Sequence, residues 1–369
     1  MFRLVAEHAA AMAAVGILEE DLLIAFVAMK RLHGRCPENK RSVGIGQHRI
    51  FCFTANNCIF CRIIVVHKKS RSIRIFLGVS GHIVAIFDRP YKDATGALVE
   101  TLFDVELKLL LEGVFQRYQH DFRNYSVTSL RRRVSLALER FDCKTVSQLQ
   151  DRVLHEPQVF EQMLQYFTVQ VSEMFRDPHY FAALRMNVVP LLKTYPSIKI
   201  WVAGCSTGEE VWSLAIMLAE EGLLERSLIY ATDINGEALK TAEAGIYALH
   251  RIAQFSENYH HAGGIKSLSD HYTAGYDSVV FDRSFRQHMV FADHSLATDS
   301  VFSEVHLVSC RNVLIYFNRS LQERAIKLFH DALVHRGFLG LGVKESLRFT
   351  MQADAFSDFV PAEKIYQRL

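Results

Sequence analysis

The feature that most constrains this chain is a strand–turn–helix–strand passage beginning at Ile198. "IKIWVAG" reads as a short apolar strand, "EEVWSLAIMLAEEG" as a helix halted by Gly222, and "SLIYATDI" as a second strand. A helix, "GEALKTAEAGIY", follows. Later, "HLVSC" and "GFLGLG" read as strands flanking the helix "SLQERAIKLFHDALVHRG". Apolar runs bounded by glycine and alternating with helical periods predict parallel strands joined by helical crossovers. The expected fold class is therefore α/β, a Rossmann-like doubly wound sheet with helices on both faces. "YHHAGGIKSLSDHYTAGYDSVVFDRSFRQHMVF" interrupts the rhythm and looks too irregular for a crossover helix. It reads as a small inserted β subdomain, about residues 250–286, followed by the next sheet strand.

An all-α helical domain is expected ahead of the sheet. "DVELKLLLEGVFQRYQHDF", "SLRRRVSLALERF", "TVSQLQDRVL" and "PQVFEQMLQYFTV" each place apolar residues at helical spacing. The boundaries expected are 99–190 for this domain and 191–369 for the sheet domain. Residues 1–98 read differently. Residues 1–100 hold fourteen Lys/Arg against eight Asp/Glu, so the +2 formal charge of the whole chain hides a basic front and an acidic remainder. "RSIRIFLGV" and "GHIVAIF" alternate like strands, and the segment is either a small accessory domain or an extension outside the working fold.

Several function classes recede on these grounds. No uncharged run reaches the roughly 18–20 residues of a membrane span, so no direct membrane insertion is expected. The seven cysteines show no framework spacing, which fits a reducing, cytoplasmic setting. "CIFC" at 58–61 has the spacing of half a zinc knuckle, and Cys36 and Cys52 are poorly placed to complete it. The histidines of "NYHHAGGIKSLSDHY" read as a surface loop, so no metal is expected.

In a doubly wound sheet the ligand sits beyond the carboxyl ends of the strands. Those ends are Gly204–Gly208, Asp233 and Cys310–Asn312. Gly204 and Gly208 would let the backbone approach a ligand, and an acid at Asp233 suits ribose hydroxyls. Yet "VAGCSTGEEVWSL" lacks the G-x-G-x-x-G spacing, and Glu209 and Glu210 would repel a phosphate. Thr207-x-x-Glu210 could be a capping box. Alternatively Glu210 faces a cationic ligand. S-adenosyl-L-methionine, with a sulfonium, an ammonium, a ribose and no phosphate, fits the second reading.

"FTVQVSEMFRDPHYF", "IWVAGCSTGEEVWSLA", "ATDIN" and "CRNVLIYFN" together resemble the chemotaxis receptor methyltransferase (CheR) family, over about residues 101–369. The resemblance implies a cytoplasmic bacterial protein-glutamate O-methyltransferase that uses S-adenosyl-L-methionine. It would form glutamate methyl esters and S-adenosyl-L-homocysteine on chemoreceptors, for sensory adaptation. By the same resemblance Arg176 reaches the cofactor site, preceded by Gln170 and Ser172. Glu210 meets the cofactor's amino-acid end, Asp233 holds the ribose, and Arg311 and Asn312 line the pocket. Tyr316 lies near the transferred methyl. "FADHSLA" places Ser295 where the family often has Asn against the adenine, next to Leu296. Arg131, Arg132, Arg133 and Arg140 would dock on the acidic, helical cytoplasmic region of the receptors. A solvated helix face would show the same charge run. A non-catalytic module that binds cofactor or receptor is the alternative in another class. A monomer without nucleic-acid partners is expected.

Overall fold

The computed structural model describes residues 101–168, 172–348 and 350–369, together with five strands between 41 and 89. The chain divides into two compact units, Met1–Val105 and Glu106–Leu369. In the first, β1 (Arg41–Ile45), β2 (His48–Thr54), β3 (Phe60–His67), β4 (Ile73–Val79) and β5 (His82–Arg89) form an antiparallel meander in sequence order. Cys36 and Cys58 lie outside the described residues.

The helices that follow are α1 (Leu102–Tyr118), which spans the division, α2 (Val127–Arg140), α3 (Val146–His155) and α4 (Pro157–Phe167). Thr145 caps α3, its hydroxyl accepting from the Gln148 amide at 3.2 Å, and Pro157 starts α4 at a position where no donor is needed. Leu130, Val134 and Ala137 of α2 and Val159, Phe160, Met163 and Phe167 of α4 are buried, so the helices close over one apolar core. Next come α5 (Pro178–Ala183) and α6 (Val189–Leu192), joined by a π-helical stretch, Leu184–Val188. Pro190 has no amide hydrogen and cannot continue the regular ladder, which accounts for the widened turn ahead of it.

The sheet strands are β6 (Ile198–Ala203), β7 (Ser227–Asp233), β11 (Met289–Asp293), β12 (Val305–Cys310), β13 (Leu333–Leu341), β14 (Phe356–Val360) and β15 (Ile365–Arg368). Their spatial order is β11-β7-β6-β12-β13-β15-β14. The first five run parallel, and β15 and β14 close the edge antiparallel. The order reverses between β6 and β12, so the crevice beyond their carboxyl ends is the topological switch point. Crossovers include α7 (Glu209–Glu220), α8 (Gly236–Ala244) and α10 (Arg319–Ala332). Nearly every residue of β6 is buried, as a strand covered on both faces requires.

Two expectations change. The helix read through Gly337 ends at Ala332, and β13 starts at Leu333. Leu333 is fully buried and pairs with Val305, so sheet packing overrides the helical period there. The insert begins earlier than expected and contains a helix. β8 (Ile246–Ala248), β9 (Tyr272–Ala274) and β10 (Ser278–Phe281) form a three-stranded sheet, with α9 (Ile252–His261) between β8 and β9. Ile252, Phe255 and Tyr259, at helical spacing, are the buried face of α9. Among the described residues no helix is long and apolar enough to cross a membrane.

Candidate active site

A cleft opens at the switch point, with about 900 Å³ of empty space that includes open solvent. Its floor is built from the strand ends: Gly204, Cys205 and Ser206 after β6, Asp233 after β7, and Arg311 and Asn312 after β12. Its other wall comes from the helical part, through Tyr125, Arg133, Phe167 and Thr168. The two parts are stitched beside the cleft. Tyr125 and Phe317 form an antiparallel bridge, and the Ser126 amide donates to the Tyr316 carbonyl at 2.7 Å. Asn235 Nδ2 donates to Thr168 Oγ1 at 2.8 Å. These contacts fix where Tyr316 stands.

Gly204 has φ +74°, and a Cβ there would sit 2.5 Å from Val313 Cγ2. Only glycine gives this turn its shape. Gly208 does not line the cleft. It is the N-cap of α7 at φ +89°, and a Cβ would meet the Ala242 Cα at 2.7 Å, so its work is the close packing of α7 on α8. The capping box read at Thr207 is also absent. Thr207 Oγ1 donates to Glu209 Oε2 at 2.7 Å, while Glu210 turns toward the sheet.

Glu210 is the centre of a part-buried network. Ser309 Oγ donates to Glu210 Oε1 at 2.6 Å, and Arg311 Nη1 donates to Oε2 at 3.1 Å. With its own hydrogen committed, Ser309 accepts from the Tyr180 hydroxyl at 2.8 Å. Arg311 Nη2 donates to Asp177 Oδ2 at 2.7 Å and to the Arg176 carbonyl at 2.8 Å. The Arg311 guanidinium also lies 4.2 Å over the Tyr180 ring. This clamp holds a strained loop, since Phe175 (φ 52°) and Asp177 (φ 54°) are both left-handed without being glycine. Arg176, between them, lines the cleft.

Asp233 accepts the Ser206 amide on Oδ2 at 2.9 Å and the Asn235 amide on Oδ1 at 3.0 Å. Burial pushes its carboxyl above the usual range, against these hydrogen bonds. A carboxylate has about four lone-pair sites, so Asp233 keeps room for a further donor. Asn312 adopts φ 61°, and its amide donates to Glu345 Oε2 at 3.0 Å. Glu345, itself buried, also accepts from Gly342 at 2.7 Å and Ile315 at 3.3 Å, and so shapes the loop that carries Tyr316. Burial raises the Cys205 thiol well above its ordinary value, which leaves no reactive thiolate in the cleft.

Of the residues singled out from the sequence, the cleft brings together Ser172, Arg176, Gly204, Glu210, Asp233, Leu296, Arg311, Asn312 and Tyr316. Gln170 lies outside the described residues. Ser295 is beside the cleft rather than on it. Its amide donates to Asp299 Oδ2 at 2.8 Å, and its hydroxyl accepts from the Ala297 amide at 3.3 Å. Arg133 is separated from the other basic residues of α2. Arg132 and Arg140 are exposed and Arg131 partly so, whereas Arg133 is 3% exposed and faces inward. Its spacing from Leu130 and Ala137, at i+3 and i−4, carried that information.

His294 was missed. Its Nε2–H donates to the Ser300 carbonyl at 3.1 Å, so in the neutral ring Nδ1 is the acceptor. Glu209, which the sequence left without a role, is fully buried, and its carboxylate pairs with Arg251 Nη1 at 2.7 Å.

The residues fit S-adenosylmethionine. Glycine provides close approach, Asp233 offers free lone pairs for hydroxyls, and Glu210 offers negative charge where a phosphate would be repelled. Fold and cleft together define a Rossmann-like, S-adenosylmethionine-dependent methyltransferase. A family model described as CheR methyltransferase, SAM binding domain, matches residues 170–360, and one described as CheR methyltransferase, all-alpha domain, matches residues 105–168. Cher3 of Pseudomonas putida, named provisionally as a methyltransferase, is 57% identical over 265 residues, covering 72% of this chain and 97% of that protein. A chemotaxis protein methyltransferase of Listeria monocytogenes is 27% identical over 229 residues, covering 62% of this chain and 84% of its own length. Chemotaxis protein methyltransferase 2 of Pseudomonas aeruginosa is 31% identical over 200 residues, covering 53% and 69% respectively. The chain belongs to the CheR methyltransferase family.

Proposed function

We propose that the protein methylates glutamate side-chain carboxylates in the cytoplasmic helical region of chemoreceptors. The observation that carries this reading is the division of charge in the cleft. Acids Glu210 and Asp233 stand at the strand ends, and Arg133, Arg176 and Tyr316 line the same space. That arrangement suits a cationic donor and an anionic acceptor together.

Bound there, S-adenosylmethionine supplies an electrophilic methyl group on a sulfonium. Gly204 admits it, Asp233 accepts from the ribose hydroxyls, and Glu210 with Arg176 receives the amino-acid end. Leu296, Arg311 and Asn312 complete the wall. An acceptor glutamate, with a reference pKa of about 4.3, is ionised at neutral pH and needs no general base. The protein's contribution is then alignment and exclusion of water. Tyr316 borders the reacting carboxylate and orients it. The exposed Arg132 and Arg140, with Arg131, meet the acidic receptor helix by charge complementarity, which makes docking salt-sensitive.

The test is incubation of the protein with tritiated S-adenosylmethionine and receptor-rich membranes. Label in the receptor that base releases supports the reading. Binding of the cofactor without transfer to any receptor, or transfer to RNA, overturns it.

A further inference from the structure

We propose that Arg251 and Asn258 of the insert are positioning residues, which hold the loop that presents Arg176 to the cofactor. This rests on the cofactor role proposed above for Arg176 and adds what sets that arginine's place.

The loop of residues 172–177 forms no helix or strand, so its backbone groups must find partners outside it. The sheet part of the chain supplies two. The Phe175 amide donates to Ser213 Oγ at 2.8 Å, and Arg311 Nη2 donates to the Arg176 carbonyl at 2.8 Å. The insert supplies two more. Arg251 Nη2 donates to the Ser172 carbonyl, and Asn258 Nδ2 donates to the Met174 carbonyl at 3.0 Å. Yet among the described residues none of the insert lines the cleft. The loop needs such restraint, because Phe175 and Asp177 keep left-handed φ angles only where their surroundings over-determine them.

Both donors come from one face of one element. Arg251 ends the 3-10 turn Leu249–Arg251 that leads into α9, and Asn258 lies seven positions on, two helical turns along. Ile252, Phe255 and Tyr259 bury the apolar side of α9, and that burial alone would seat the insert. The polar donors add geometry. Gln254 Nε2 donates to Asn258 Oδ1 at 3.0 Å, which leaves the Asn258 amino group for Met174. Arg251 Nη1 donates to Glu209 Oε1 at 2.7 Å, and its guanidinium lies 4.8 Å from the centre of the Phe255 ring. Glu209 is fully buried at the start of α7, with its other oxygen held by Thr207 Oγ1 at 2.7 Å. One guanidinium therefore ties the start of α7, beside Glu210, to the loop ahead of Arg176. A lysine could reach one of these partners but not span both.

The test reads the affinity of the full chain for S-adenosylhomocysteine by calorimetry, with the stoichiometry reporting the folded fraction. Arg251→Met should weaken binding about 10-fold, and Arg251→Lys about 3-fold. In an Arg176→Ala background, itself expected to bind less tightly, adding Arg251→Met should weaken binding by less than about two-fold more, because the loop then has nothing to present. Asn258→Ala should show the same dependence on Arg176 and serves as the second variant if Arg251→Met does not fold. Leu268→Ala opens a cavity in the insert without removing a donor to the loop, and it should lower the melting temperature while affinity stays within about two-fold. Wild-type affinity in both Arg251→Met and Asn258→Ala overturns the proposal. So does a loss in Leu268→Ala equal to that in Arg251→Met, which would reduce the insert to a source of stability. Losses that add in full to a weakened Arg176→Ala leave the role of Arg176 and remove only the brace. Wild-type affinity in Arg176→Ala alone removes that role and the brace with it. Since no receptor is present, a failure of methyl transfer to receptors changes none of these readings.

Discussion

Arg311 Nη1 lies 3.1 Å from Glu210 Oε2, joining the end of one sheet strand to the helix that follows another. The pair is separated by 101 positions in sequence and meets at the switch point. With Asp177 on its second amino group, Arg311 couples the sheet side of the cleft to the loop that presents Arg176. Breaking one side of a fully buried pair costs about 3–5 kcal/mol, but the Glu210 side chain is 15% exposed and that of Asp177 34%. Arg311→Met should therefore lower stability by less than that, about 1–3 kcal/mol. Chemical denaturation at neutral pH measures it, and an unchanged midpoint would show the clamp to be idle.

The two glycines of the turn should separate experimentally. Gly204→Ala forces a Cβ against Val313 at a left-handed φ, directly in the cleft wall. Its affinity for S-adenosylhomocysteine should fall about 10-fold or more, with part of the loss restored by Val313→Ala. Gly208→Ala presses on the Ala242 backbone instead, so it should lower thermal stability with a much smaller effect on affinity per folded molecule. Calorimetry and melting curves on both variants make the comparison.

Asp233 gives the cofactor affinity a pH signature. Burial raises its pKa, and in the proposed role the ribose hydroxyls would favour its ionised form. Affinity for S-adenosylhomocysteine should therefore be full at neutral pH. It should weaken as pH falls through the raised pKa, at a higher pH than an ordinary aspartate would give. In Asp233→Asn the affinity should be low and flat over the same range. A wild-type profile as flat as the variant's would remove Asp233 from the ribose role.

Stability should show an acid limb of different origin. Glu220 is buried against Arg185, Tyr259 and His271. Burial alone would raise its pKa, but the His271 ring 3.7 Å away and hydrogen bonds from Tyr259 and Arg185 hold it at about 2. A depressed carboxylate stabilises the fold above its unfolded pKa and loses that contribution as pH falls through the folded one. Glu220→Gln should cost on the order of 2–3 kcal/mol at neutral pH, and the gap to wild type should narrow between about pH 4.5 and 2. Denaturation at several pH values reads this directly, and a gap that widens toward acid contradicts it.

Tyr316→Phe removes the hydroxyl while keeping the ring under Arg133. Turnover should drop about 10-fold with cofactor affinity unchanged, as expected for a group that orients the acceptor. Unchanged turnover would remove the tyrosine hydroxyl from the reaction.

Much of this architecture was legible because apolar runs ending in glycine fix where strands stop, and a doubly wound sheet places its ligand at those stops. Asp233 and Gly204 were readable on that basis alone. Glu210 was readable only as an acid that a phosphate site would not tolerate. Its partners Ser309 and Arg311 are distant in sequence, and no local pattern announces them. Gly208 and Thr207 depart from the sequence expectation because Gly208 is the N-cap of α7 and Glu209 captures the Thr207 hydroxyl. Arg133 was grouped with its neighbours by charge, although helical spacing set it on the inner face. The three short strands of the insert conceal a helix, since α9 buries only one side of an otherwise polar, histidine-rich stretch.

The most direct test of the account is peptide mapping of a chemoreceptor after incubation with the protein and unlabelled S-adenosylmethionine. Glutamates of the cytoplasmic helices should gain one methyl ester each, and mild base should reverse the mass change. Methyl groups found on lysine, on nucleic acid, or nowhere while the cofactor is bound would contradict it.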